Sequence, residues 1–157
     1  MTSEEATMTG IVVGVDRSPA SLAGFRWAAD EAARRGTSLL ILHVVPARLD
    51  NVRSTDPVFG GYTAEQLERE HRELVAWLAL ELDGRAFVDV GIAVRVGDPV
   101  AELVTAGNEA DLLVVTAHDG PVHRLLLGSV CRAVLDRASC PVAVVHPHRA
   151  PRRGAAA

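Results

Sequence analysis

Four short stretches hold the residues whose types and spacing can do chemistry. They are Asp16-Arg17-Ser18, Val44-Val45, Thr116 through Gly120, and Gly128-Ser129. Gly128-Ser129 opens a helical run. A helix N-terminus offers unpaired N–H groups and the positive end of a dipole, so it can hold an anion. Glycine lets a phosphate approach the backbone closely, and the serine hydroxyl adds a donor. A nucleotide phosphate site follows as one reading. A plainer reading accompanies each group: Gly128-Ser129 as an ordinary helix cap, Asp16 as the start of an Asx-turn or a cap for the next helix.

Other reactive side chains point less clearly to a site. His118, Asp119 and His123 share one loop, but no pair has metal-ligand spacing, so no metal is expected. Cys131 lies one turn into the last helix, where the dipole can lower a thiol pKa; a small packed side chain is the expected role. Cys140 precedes Pro141 at the start of the last apolar run. His43, inside an apolar strand, is expected to be packed in the core or at its rim. His71, His146 and His148 are not placed for catalysis, and the charged run 68–73 reads as a solvated helix face. No G-x-S-x-G nucleophile elbow, zinc-protease motif or G-x-G-x-x-G after the first strand occurs. All 16 basic residues are arginine, which excludes Schiff-base catalysis and the P-loop lysine.

These residues need elements to position them. Apolar, β-branched runs at 10–15, 38–45, 87–96, 111–116 and 141–146 read as strands. The 87–96 run alternates most and is expected near an edge. Helices are expected at 20–35, 63–82, 100–108 and 129–138. Ser18 or Ser21 can cap the first and Gly36 can end it; Thr63 and Gln66 suit a capping box; Asp98-Pro99 marks the third start. Residues 47–62 and 117–127 read as loops. Strands alternating with helices predict one α/β domain with a parallel sheet and right-handed crossovers. Ligands in such sheets bind beyond the carboxyl ends of the strands, where strand order reverses.

The 157 residues are 48% hydrophobic and carry a formal net charge of −4, enough apolar material for one core. The acidic balance argues against a nucleic-acid binder, which needs a basic face. No apolar run approaches the about 18 residues of a membrane span. The N-terminus shows no secretory pattern and the two cysteines fit a reducing compartment, so the expectation is cytoplasmic. Residues 1–9 and 149–157 are expected to be mobile flanks of a domain at 10–148.

The blocks IVVGVDRSPAS, SLLILHVV, RVGDPVAELVTAGNEADLLVVT and LLLGSVCRAVLDRASCPVAVV, in this order and spacing, resemble the universal stress proteins of the UspA superfamily. The resemblance covers residues 10 to about 147. It implies a three-layer α/β/α fold with a five-stranded parallel sheet in the order 3-2-1-4-5, and a homodimer. An edge strand at 141–146 is where a second copy would pair. It also implies a nucleotide site: Asp16 at the adenosine end, Val44 as a backbone contact to adenine, and Ala117, Gly120, Gly128, Ser129 and Val130 at positions of the phosphate-binding motif.

The chain departs from the family's ATP-binding pattern in three ways. Ala117 replaces the first glycine, and its methyl restricts backbone and ligand approach. Seven residues, Pro121 to Leu127, separate Gly120 from Gly128 where the pattern has nine. Asp119 places a carboxylate near the phosphates. The expected ligand is therefore ATP or AMP, with magnesium only beside ATP; fewer phosphates suit the shorter loop. No enzymatic activity is expected beyond slow ATP hydrolysis at most. The alternative is an interaction module with an empty cleft.

Overall fold

The computed structural model describes residues 10–48, 58–85, 89–119, 125–126 and 128–147. The flanks 1–9 and 149–157 lie outside these residues. Five strands form one sheet: β1 (Ile11–Gly14), β2 (Leu39–Val45), β3 (Val90–Val96), β4 (Leu112–Thr116) and β5 (Val142–Val145). All neighbours are parallel, in the order β3-β2-β1-β4-β5. Ile11 of β1 is in register with Leu39 of β2 and with Leu112 of β4. The expected order therefore holds, with reversal between β1 and β4. β3 and β5 are the edges and are half-buried along their lengths, whereas β1, β2 and β4 are largely buried.

Four helices cover the two faces: α1 (Pro19–Arg35), α2 (Ala64–Leu82), α3 (Pro99–Gly107) and α4 (Ser129–Arg137). Successive strand side chains point to opposite faces, so the core divides in two. Ile11, Val13, Ile41 and Val114 pack with Phe25 of α1 and Leu74 and Leu78 of α2. Val12, Leu42, Leu113 and Val115 pack with Leu103 of α3 and Val134 of α4.

Local chemistry fixes where the helices begin. Ser18 caps α1 by accepting from the Ser21 N–H at 3.3 Å. Thr63 and Gln66 form the expected capping box of α2, at 2.8 and 3.2 Å. Asp98 caps α3 by accepting from the Ala101 N–H at 2.9 Å, with Pro99 in the first turn. Gly36 ends α1 in the left-handed region, as expected.

Two expected loops hold more order than their sequences indicate. Within 47–62, Val58–Phe59 pairs antiparallel with Tyr62–Thr63. Gly60 and Gly61 make the turn at φ 58° and 90°, which only glycine adopts cheaply at two successive positions. Tyr62 is buried, its hydroxyl donates to Pro46 O at 3.1 Å, and Arg48 stacks on its ring. Within 117–127, His118–Asp119 pairs antiparallel with Leu125–Leu126. Both are corrections to the loop reading: a two-residue ribbon is too short to show periodicity.

Candidate functional site

The carboxyl ends of β1 and β4 diverge around a cleft of about 290 Å³. Its apolar lining includes Leu42, Val44, Leu103 and Val115, and its polar lining includes Asp16, His118 and Ser129. Leu42, Leu103 and Val115 belong to the core on the α3–α4 face, so this wall rests on packed side chains.

The end of β1 is tied to β2 by two contacts. The Val15 N–H donates to Leu42 O at 2.9 Å. His43 Nδ1 lies 2.8 Å from Val15 O; a carbonyl only accepts, so this nitrogen carries the proton. His43 is 7% exposed, which agrees with the expectation of a packed histidine.

Asp16 follows. Its Oδ1 accepts from the Ser18 N–H at 2.9 Å, the Asx-turn geometry of the plainer reading. That bond uses one oxygen. The other, Oδ2, lies 3.7 Å from His118 Nε2. Burial pushes the Asp16 carboxyl up, but hydrogen bonds from Ser18 and Ser21 and the charge of His118 outweigh it and hold the pKa below its ordinary 3.8. The contact with His118 is long and both side chains are over half exposed, at 53% and 56%. It is an ion pair only when the imidazole is protonated, and pairs this exposed contribute about 0–1 kcal/mol.

The opposite end of the site is the start of α4. Gly128 is its N-cap and supplies no side-chain hydrogen bond; α1, α2 and α3 are all capped by a side chain. The first bond within α4 runs from the Arg132 N–H to Gly128 O at 3.1 Å. The N–H groups of Ser129, Val130 and Cys131 precede it and border the cleft. His118 packs on this end too: a Cβ at position 128 would lie 3.3 Å from its Cδ2.

The structure thus brings Asp16, Val44, Gly128, Ser129 and Val130 to one cleft. Ala117 does not join them. It is 1% exposed, and its N–H donates to Val145 O at 2.8 Å. The chain runs extended beside β5 for one residue past β4, which turns the methyl inward and uses the N–H in the sheet. Gly120, like His123 and Arg124, lies outside the described residues.

Thr116 and His118, at and just beyond the end of β4, belong to a stretch marked from sequence and line the cleft; Leu103, in α3, also lines it, and its place in the sequence gives no such signal. The Thr116 hydroxyl is buried without a hydrogen-bond partner among the described residues and abuts Gly24 of α1. Cys131 donates its S–H to Thr116 O at 3.2 Å. It is 3% exposed, and burial pushes its pKa up, the behaviour of a packed thiol rather than a reactive one.

Among the described residues, no group of three His, Cys, Asp or Glu side chains could hold a metal ion. No helix of the described residues is long and apolar enough to cross a membrane.

The sequence profile of the Universal stress protein family matches residues 8–146. A universal stress protein of Mycobacterium tuberculosis is 37% identical over 146 residues, covering 87% of this chain and 48% of its own length. The chain thus spans about half the length of such relatives. Among solved structures, the universal stress protein UspA of Lactobacillus plantarum is similar with a TM-score of 0.65 at 27% identity, covering 88% of this chain and 97% of that one. A universal stress protein solved in complex with cAMP matches with a TM-score of 0.62 at 28% identity, covering 89% and 98%. On sequence and on architecture together, the chain belongs to the universal stress protein family.

Proposed function

We propose that the cleft between β1 and β4 binds an adenine nucleotide, ATP or AMP, and that the protein works as a nucleotide-responsive stress or signalling protein. One observation carries this reading: an ionised carboxylate, Asp16, and the side-chain-uncapped N-terminus of α4 border the same apolar cleft. The base rests on Leu42, Val44 and Leu103. Ribose hydroxyls donate to Asp16 Oδ2, the oxygen that the Asx-turn leaves free. The phosphate accepts from the N–H groups of Ser129 and Val130 and from the Ser129 hydroxyl. The reverse orientation would set phosphate against Asp16, and like charges repel. The cAMP complex of a relative of similar fold supports an adenine nucleotide. A ligand with one phosphate suits a site built on one helix N-terminus. Gly120 belongs to this reading as a phosphate contact, and magnesium enters only with ATP.

The protein binds without turnover in this reading; among the described residues no group of three His, Cys, Asp or Glu side chains could hold a metal ion to activate a water beside the phosphate. β5 has no strand partner on its outer side among the described residues, and pairing with a second copy along 141–146 would satisfy that edge. A cytoplasmic location accords with two free cysteines and with a metabolite ligand.

Calorimetric titration of ATP and AMP into nucleotide-stripped protein tests the site. Micromolar binding is expected, weakened about 10- to 100-fold by Asp16→Ala, the scale of a hydrogen bond to a charged group. An absence of heat, with no rise in melting temperature at millimolar ligand, overturns the nucleotide reading and leaves an interaction module with an empty cleft.

A further inference from the structure

Arg17 is the one non-glycine residue with positive φ among the described residues, at 62°. It follows Asp16 directly, inside the turn that the Asp16–Ser18 hydrogen bond closes. A side chain with a Cβ is strained in this left-handed conformation. The backbone at Arg17 places the Ser18 N–H that holds Asp16 Oδ1, and holding Oδ1 limits where the second oxygen can point. A strained turn keeps one geometry only where its surroundings hold it.

The hold is visible on the far side of the turn. Arg17 Nη1 donates to Glu73 Oε2 at 2.7 Å, and Nη2 donates to Glu70 Oε2 at 3.0 Å. Both glutamates lie on α2, three residues apart, and neither lines the cleft. α2 is anchored close by: Leu74 and Leu78 are fully buried against the sheet. The guanidinium therefore joins the turn carrying Asp16 to a fixed helix. Its side chain is 31% exposed and those of Glu70 and Glu73 are 22% and 51% exposed, so the pairs are only partly screened.

We propose that Arg17, clamped by Glu70 and Glu73, is a positioning residue that holds the strained turn and so aims Asp16 Oδ2 at the ribose of a bound nucleoside. The clamp rests on the nucleotide reading for its ligand. Its action on Asp16 can be measured without one.

The test uses the full chain carrying Glu70→Gln and Glu73→Gln together, which keeps size and removes charge outside the cleft. Adenosine is the probe beside AMP, because an uncharged ligand does not respond to a change in protein net charge. Adenosine affinity is expected to fall about 5-fold, the scale of coupling between neighbouring residues, and AMP affinity by the same factor. In an Asp16→Ala background the loss is expected to vanish. Arg17→Gly, which accepts positive φ without strain, is expected to bind better than Arg17→Ala. Carbon-detected titration of the unliganded variant is expected to show the Asp16 carboxyl moved up toward 3.8, as the Ser18 bonds loosen; a merely destabilised protein would not show this.

A loss of equal size in the Asp16→Ala background overturns the clamp, as does an Asp16 titration unchanged in the double variant. Wild-type protein that binds neither adenosine nor AMP overturns the nucleotide reading and the clamp's role in it. Wild-type protein that binds both, with the double variant binding equally well, overturns the clamp alone.

Discussion

His118 Nε2 stands 3.7 Å from Asp16 Oδ2, and the same imidazole packs on Gly128. One side chain therefore connects the end of β1 to the start of α4 across the reversal point of the sheet. The two ends of the proposed ligand site therefore share one neighbouring side chain.

The first prediction concerns Asp16. Its folded pKa lies below 3.8, so its contribution to stability is present above that value. The contribution is lost as pH falls through the lowered folded value. Denaturation between pH 6 and about pH 2.5 should show Asp16→Asn closing its gap to wild type at the acid end. His118→Gln should raise the Asp16 pKa, since the imidazole's charge helps to lower it. Carbon-detected titration of the carboxyl measures this shift directly.

At the other end of the site, Ser129→Ala should separate phosphate from nucleoside. Removing the hydroxyl takes one donor from the phosphate. AMP and ATP affinity should fall about 5- to 10-fold, the effect of one net hydrogen bond of about 1 kcal/mol. Adenosine affinity should not change. Parallel calorimetric titrations of the three ligands give the comparison, and an equal loss for adenosine would place the phosphate elsewhere.

Gly24 and Thr116 form a steric pair between α1 and β4. A Cβ at Gly24 would run into Thr116 Oγ1. Gly24→Ala should therefore destabilise the protein by about 1–3 kcal/mol, the cost of overpacking. Thr116→Ala, which deletes a buried hydroxyl without a hydrogen-bond partner, should cost much less. The double substitution should recover part of the Gly24→Ala loss in urea denaturation, a non-additive outcome for neighbours in contact.

Phe25, the next residue of α1, tests the core between that helix and the sheet. It is fully buried among β-strand side chains. Phe25→Ala should cost about 3–5 kcal/mol, transfer and cavity terms together. Chemical denaturation should read the loss as a lower midpoint with an unchanged slope.

Residue type and spacing alone determined the order of strands and helices, the capping box of Thr63 and Gln66, the Gly36 stop, and the candidacy of Asp16, Gly128 and Ser129. These are local effects: a strand's hydrophobic run, a cap and a helix stop are set by residues within a few positions of one another. The family resemblance supplied the sheet order, because the order of blocks along a chain does not by itself say which strands lie side by side.

Tertiary structure alone decided the rest. The Gly60–Gly61 ribbon owes its place to a buried Tyr62, and the buried position of Ala117 to pairing with Val145. The contact of His118 with Asp16 joins residues 102 positions apart in sequence. In sequence Arg17 is only the residue between Asp16 and Ser18; its strain appears only in the backbone angle, and its restraint only when α2 comes beside it. Such contacts depend on packing between distant elements, and no local pattern of residues encodes a distance across the sheet.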